Sequence, residues 1–446
     1  MTCRPLFLRA VLAIFVAFVI HAQTVPAITL ADALQRAHTY GAQVQSAAFT
    51  VALAKQDTVQ ARADLLPSLN ALNQFIYTEG NGTPSGVFVA NDGVHVYNEQ
   101  AVVHQDLLNV TRRATLRRAH ALEAVAQAKR DVAIRGLDLT VTSDYYAVVD
   151  ALRRSANAQA SLDDAQHFLE ITRKLERGGE AAHADTIKAQ LTEQQRARDL
   201  MDAQLAVEKA KINLAVLIFP DVTRDFTTVD DLDHLPPLEA YATVQSQSQT
   251  LSPEIRAARA NVLVSHDETN IARYAYVPSL AVDFFYGIDA NQFTNISSET
   301  QATGRSTLPN YLVENRHNLG YSGEVTLNIP VWNWGATRSR VKQARIREQQ
   351  AQLDLDLALK QLHADVSNAY LEAQSAQAQI SSLHDSLDLA EQSLHLTLLR
   401  YQAGDATVLE VVDAQTTLGG ARNAYADGLV RYRVAVATVQ SLAGRL

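Results

Sequence analysis

The sequence predicts a mainly α-helical protein with a smaller β component. Its unit is a set of long antiparallel helices plus a two-strand hairpin, and that unit is present twice. Three observations predict it. The two halves of the 446-residue chain are self-similar. Each half holds one very long helical pattern free of proline. Each also holds a pair of alternating segments roughly ten residues long, which is strand patterning. Composition agrees: 47% of residues are hydrophobic and only 7% aromatic, with Ala, Leu, Gln, Val and Arg filling the long stretches. Such residues favour helices packed closely through small side chains. The net charge of −9 gives no support to a nucleic-acid partner. Arg112, Arg113, Arg117 and Arg118 sit among acids in a helical stretch, as on a solvated helix face.

The N-terminus is read first. Arg4 and Arg9 precede an unbroken apolar run, Ala10 to Ile20, and Ile20-His21-Ala22 offers a cleavage site. Residues 1–22 therefore read as a secretory signal peptide, since the run is too short to span a bilayer. Cys3, the sole cysteine, lies before that run, so the mature chain is expected to hold no disulfide. No later segment reaches the roughly 18 unbroken apolar residues of a spanning helix. A membrane-embedded form would have to use strands.

The repeat is gap-free where it is clearest. Arg177-Gly178-Gly179-Glu180-Ala181 through Ala189-Gln190 aligns with Gln402-Ala403-Gly404-Asp405-Ala406 through Ala414-Gln415. Upstream, Leu66-Pro67-Ser68-Leu69 mirrors Val277-Pro278-Ser279-Leu280. A longer connection between Asn291 and Asn318 accounts for the change of offset. The first repeat is assigned to 23–237 and the second to 238–446.

Each repeat opens with a helix, over about 30–66 in the first; Thr29 is the candidate N-cap and Pro67 the stop. Strand pairs come next, at 68–105 and 279–330. In the second, Leu280, Val282, Phe284, Tyr286 and Ile288 face one way and Ala281, Asp283, Phe285, Gly287 and Asp289 the other. The returning segment alternates Tyr321, Gly323, Val325, Leu327 and Ile329 against Ser322, Glu324, Thr326 and Asn328. The first pair is weaker, resting on Leu69, Phe75 and Tyr77, then Val94, Val96 and Val102. A soluble sheet edge would show similar alternation, but strand length and terminal aromatics suit a transmembrane barrel.

Long helices come after the strands, at 110–176 and 335–402, with return helices at 184–218 and 406–443. Apolar spacings of three, four and seven run through the first, for example Leu116, Leu122, Val125, Val132 and Leu137. At 1.5 Å per residue the long helix spans roughly 100 Å, and the opening and return helices roughly 50–55 Å each. The two shorter helices laid end to end thus match the long one. A bundle core is the ordinary fate of such helices; matched lengths argue for a tube wall. One chain supplies four strands, whereas a closed barrel needs about eight or more. Cyclic oligomerisation closes the sheet, and three copies would give a twelve-stranded barrel.

The mature chain resembles the TolC-like outer-membrane efflux family. The resemblance lies in Ile28-Thr29-Leu30-Ala31-Asp32-Ala33-Leu34, in Leu66-Pro67-Ser68-Leu69, and in Ile329-Pro330-Val331-Trp332-Asn333-Trp334-Gly335. It continues in Arg400-Tyr401-Gln402-Ala403-Gly404 and then in Leu409-Glu410-Val411-Val412-Asp413-Ala414-Gln415. It implies a homotrimer with a twelve-stranded β-barrel in the outer-membrane lipid, continuing into a periplasmic α-helical barrel. It further implies docking to a periplasmic adaptor (membrane fusion) protein and an inner-membrane pump, with no catalysis by this chain.

The same resemblance assigns roles to residues. Glu410 and Asp413 fall where acids line a closed aperture; three apart on one helix, they share a face and would form stacked carboxylate rings, unless they are ordinary solvated acids. Tyr401 and Asp185 fall where a hydrogen bond latches the helical hairpins, with plain interhelix packing as the alternative for Tyr401. Ala406 departs from the pattern, standing where a relative places an arginine. The turns at Gly178, Gly179 and Glu180, and at Gly404 and Asp405, are candidate adaptor contacts as well as C-caps. Trp332 and Trp334 read as membrane-interface anchors or as a buried pair.

No cofactor is expected. The histidines are scattered, and neither a metal-binding His pair nor a phosphate-cradling Gly loop appears. The reading is a passive gated export conduit for small molecules. Its alternatives are the outer-membrane component of a type I protein secretion system, or a periplasmic coiled-coil adaptor.

Overall fold

The computed structural model describes residues 27–77, 95–223, 225–291 and 319–445. The expected signal segment, Cys3, Val94 and the connection over 292–318 lie outside the described residues. The described elements run β1 (Ala27–Ile28), α1 (Leu30–Tyr40), α2 (Ala42–Ala63), β2 (Ser68–Tyr77), β3 (His95–Leu108), α3 (Val110–Gly178) and α4 (His183–Ile218). After them come β4 (Thr227–Thr228), α5 (Tyr241–Leu251), α6 (Pro253–Tyr274), β5 (Ser279–Asn291), β6 (Leu319–Asn328), α7 (Ala336–Gln402) and α8 (Val408–Leu442). A helix pair, a strand pair, a long helix and a return helix occur in that order twice.

The opening helix expected over 30–66 is two helices. Thr29 starts α1 with a reciprocal cap: its hydroxyl accepts from the Asp32 amide at 3.2 Å, and its own amide donates to the Asp32 carboxylate at 3.2 Å. Gly41 ends α1 with ψ at 111°, its amide still reaching Ala37 O at 2.7 Å. A Cβ at 41 would lie 2.7 Å from Leu137 Cδ2. It would also lie 2.5 Å from Ala37 O, a backbone atom that cannot swing aside as the leucine tip can, so glycine suits the position where the helix breaks. In the second repeat the matching break comes at Ser252, because Pro253 opens α6 and has no amide to continue α5.

The chain divides into two compact units. The first comprises Met1–Ser46, Asp131–Ser252 and Lys360–Leu446. Its core joins Ile28, Val141, Tyr145, Tyr146, Leu214, Ile218, Phe226, Leu232 and Leu429. β1 and β4 pair in parallel, Ile28 opposite Thr228. The Tyr145 hydroxyl sits against both, 3.1 Å from Ile28 O and 2.8 Å from Val229 O. Arg153 grips Asp230 with two nitrogens, at 2.5 and 2.8 Å, and reaches Asp233 at 3.0 Å. That planar fork pins the loop after β4 onto α3.

The second unit comprises Ala47–Arg130 and Pro253–Leu359. It holds one antiparallel sheet of order β2-β3-β5-β6, in which β3 and β5 join the hairpins of the two repeats. β2 and β6 are left as edges. Its helical part packs Ala121 and Val125 of α3 against Ala260 and Val264 of α6. Charged pairs flank that contact: Arg117 with Asp267 at 3.3 Å and Arg118 with Glu268 at 2.9 Å.

Candidate functional site

Two features of the chain hold the candidate residues: the helical turns of the first unit and the sheet of the second.

The turns are built alike. At the end of α3 the Glu180 amide donates to Leu175 O at 2.9 Å, and Gly179 takes φ 78°. At the end of α7 the Asp405 amide donates to Arg400 O at 2.8 Å, and Gly404 takes φ 83°. Both glycines occupy the left-handed C′ position that ends a helix cleanly. Gly178, Gly179, Glu180, Gly404 and Asp405 thus form two exposed hairpin tips.

The return helices α4 and α8 start differently. Glu176, at the end of α3, folds over the start of α4 and accepts from Thr186 Oγ1 at 2.6 Å, with His183 Nδ1 2.7 Å away. The Thr186 bond and then the His183 bond hold the Glu176 carboxyl below its ordinary value. The N-cap of α4 is Ala182, which has no side-chain oxygen to draw Asp185 back. In the second turn the N-cap is Thr407, and it does recruit the residue three along. Glu410 Oε1 accepts from the Thr407 amide at 3.2 Å while the Thr407 hydroxyl accepts from the Glu410 amide at 3.3 Å. Arg400 adds a guanidinium 3.3 Å from Glu410 Oε2. Hydrogen bonding to the Thr407 backbone is the main reason the Glu410 carboxyl lies below its ordinary value.

Glu410 and Asp413 both lie on α8, and both are exposed. Their circumstances are unequal, because Asp413 has no ion pair among the described residues. Tyr401 is buried, with Phe168 edge-on at 5.1 Å between ring centres. Its hydroxyl donates to Thr172 Oγ1 at 3.4 Å, a long bond, and not to Asp185. Burial pushes the phenol up first, the Thr172 bond opposes that, and the nearby Asp185 charge adds to the rise. Asp185 therefore acts on Tyr401 in this structure through its charge.

The spacing of candidate residues does not single out Thr172 or Arg400. Thr407 is legible, since Thr-x-x-Glu is a capping-box signature. Thr172 is not, because its contact with Tyr401 joins residues 229 apart in the chain.

In the sheet, register sorts the side chains. Leu280, Val282, Phe284 and Tyr286 of β5 stand opposite Leu327, Val325, Gly323 and Tyr321 of β6. On the other side Phe284 pairs with Val103 and Tyr286 with Ala101 of β3, which in turn pair with Leu69 and Ala71 of β2. One apolar face thus crosses all the strands, interrupted by Asn73, Glu99 and Gln105. The opposite face holds Ser68, Asn70, Gln74, Asn98, Gln100, His104, Asp283, Glu324 and Thr326, interrupted by Leu72 and Phe285. His104 Nδ1 lies 2.6 Å from Asp283 Oδ1 on that polar face. Val102 belongs to the polar face and not with Leu69 and Phe75, because register makes Asn70 its partner. A bulge between Asp106 and Leu108 resets the pairing at the helix end of β3.

Both tryptophans after β6 are exposed, Trp332 at 75% and Trp334 at 90%, with rings edge to face at 5.9 Å. Neither is buried in the chain. Trp334 takes a left-handed φ of 54°, which turns the backbone into α7.

Among the described residues no helix is long and apolar enough to cross a membrane, and no three His, Cys, Asp or Glu residues are grouped to hold a metal.

Residues 244–445 match the family described as outer membrane efflux protein. The chain is 24% identical to the pyoverdine export outer membrane protein OpmQ of Pseudomonas aeruginosa over 418 residues, covering 92% of this chain and 84% of that protein. It is 22% identical to the outer membrane protein TolC of Escherichia coli, covering 87% and 76%. Its fold is similar to that of the outer-membrane channel OprN, with a TM-score of 0.79 at 18% identity over 94% of this chain and 90% of that one.

Proposed function

We propose that the chain is a member of the TolC-like outer membrane efflux protein family, which its similarity to outer membrane efflux proteins supports, and that it is the outer-membrane channel of a tripartite efflux system, a passive gated conduit for small molecules. Members of the family are channels rather than enzymes; they form trimers and act with adaptor and pump partners. The observation that carries the reading here is the sheet. It has an apolar face, a polar face and two open edges, β2 and β6. Open edges are not tolerated in hydrocarbon, where every backbone N–H and C=O needs a partner. Three copies joined β6 to β2 close twelve strands, with the apolar face toward lipid and the polar face toward the lumen. Trp332 and Trp334 then meet the membrane interface.

The helical turns are the natural inner mouth of such a conduit. Asp413 and Glu410 supply its acidic lining. Tyr401, donating to Thr172 of α3 and lying in the field of Asp185, ties α7 to the first hairpin, and the Gly178–Glu180 and Gly404–Asp405 tips meet the adaptor. Transport energy comes from the inner-membrane pump, and this chain opens and closes.

The test is fractionation and then conductance. The full-length protein is expected in detergent-extracted outer membrane as a heat-modifiable oligomer that forms discrete channels in planar bilayers. Recovery as a soluble monomer without channel activity would overturn the reading.

A further inference from the structure

The two acids on α8 are not equivalent, and the difference lies in Arg400. Its side chain extends from the last turn of α7 to the first turn of α8. One terminal nitrogen lies 3.3 Å from Glu410 Oε2, and the other donates to Asp405 O at 2.8 Å. Glu410 Oε1 is meanwhile occupied by the Thr407 amide and hydroxyl, each at 3.2 Å. Both carboxylate oxygens of Glu410 are thus engaged, and the arginine is fixed at both ends of its fork. The pair is half-exposed, so its worth to stability is small. Its effect on the field is not small. A carboxylate with a guanidinium against it presents a dipole, and a dipole's field dies away faster than that of a lone charge. Asp413, one turn further along α8, has no such partner among the described residues. With a Debye length of about 8 Å at physiological salt, only nearby net charge acts on an ion in the mouth.

We propose that Arg400 is a selectivity-setting residue of the gate: it holds Glu410 as a neutral pair, so that of the two stacked carboxylates on α8 only Asp413 presents net negative charge to permeating cations. This rests on the reading of the α7–α8 turn as lining the aperture. The same pairing fixes what substitutions do. Removing Arg400 frees a second carboxylate ring. Removing Glu410 leaves an uncompensated guanidinium. Removing both returns the net charge to its starting value.

The test measures the K⁺/Cl⁻ permeability ratio, from reversal potentials in a KCl gradient across planar bilayers, on full-length protein checked for heat-modifiable oligomer. R400Q is expected to raise the ratio about twofold or more, and R400Q/E410Q to return it to the wild-type value. E410Q and D413N should each lower it. R400K, which keeps the charge and disturbs the fold least, should match wild type. If D413N lowers the ratio but R400Q leaves it unchanged, the inference fails while the gate reading stands. The inference also fails if R400Q/E410Q falls as low as E410Q. If D413N, E410Q and R400Q all behave as wild type, the turn does not line the aperture and the gate reading itself fails.

Discussion

Tyr145 carries one hydroxyl proton into the apolar core of the first unit, where two carbonyls, Ile28 O and Val229 O, lie within reach of it. Its ring is buried and meets Tyr146 edge-on at 5.5 Å. Tyr145→Phe keeps that packing and removes a side-chain donor from the β1–β4 crossing. Ile28 O keeps the Val229 amide at 3.1 Å, whereas Val229 O loses the Tyr145 donor. A buried acceptor left without a partner costs about 1–3 kcal/mol, so the thermal midpoint of the purified oligomer should fall while its channel conductance stays unchanged. An unaltered midpoint would show that water satisfies the Val229 carbonyl. At this scale the sequence hides its most specific contacts. Tyr145 aligns with nothing in its neighbourhood that names Ile28 or Val229, since those partners lie 117 and 84 residues away. Arg400 is visible in the sequence only as part of a motif; its engagement of Glu410 depends on how the turn between them closes.

Elements are far more legible, because their causes are local. Gly179 and Gly404 mark the ends of long helices, since only a residue comfortable at positive φ finishes a helix that way. Alternation around Val282 and Phe284 marks a strand with two unlike faces. The break at Gly41 escapes, because glycine within a helical pattern is tolerated in general; the crowding of a Cβ there against Ala37 O and Leu137 is set by the folded turn. Val102 escapes for a similar reason, since pairing with Asn70 sets its face and a strand cannot state its own register. The caps test the element scale. Thr407→Ala should destabilise α8 by about 1 kcal/mol. The contribution has a pH dependence whose sign comes from Glu410. A carboxyl lowered by folding stabilises fully above its ordinary value, 4.5, and that stabilisation is lost as pH falls through the lowered value. The thermal-midpoint gap between wild type and Thr407→Ala should therefore be widest near about pH 6 and narrow toward about pH 3. A gap that widens in acid would contradict the capping geometry.

At the scale of the whole molecule, the decisive surface is the apolar face of the sheet. Val325, on edge strand β6, is 67% exposed and shares that face with Val282. An arginine at a lipid-facing position near the bilayer midplane costs about 2–4 kcal/mol per strand. Val325→Arg should abolish recovery from the outer membrane, whereas Thr326→Arg, one residue along and on the polar face, should be recovered normally. Equal behaviour of the two would show that the faces are assigned wrongly.

The strand order has a genetic reading as well. Because β3 and β5 are mated inside the chain, the free edges β2 and β6 come from different repeats, so every closing seam joins unlike partners on two different polypeptides. A subunit with a spoiled β6 still offers an intact β2 and is still admitted to a ring, where it leaves one seam unsealed. Expressed with wild type in equal amount, it would leave only about one ring of three in eight free of it. Lesions at these borders should therefore act as dominant poisons, and lesions in the interior of the sheet as ordinary losses.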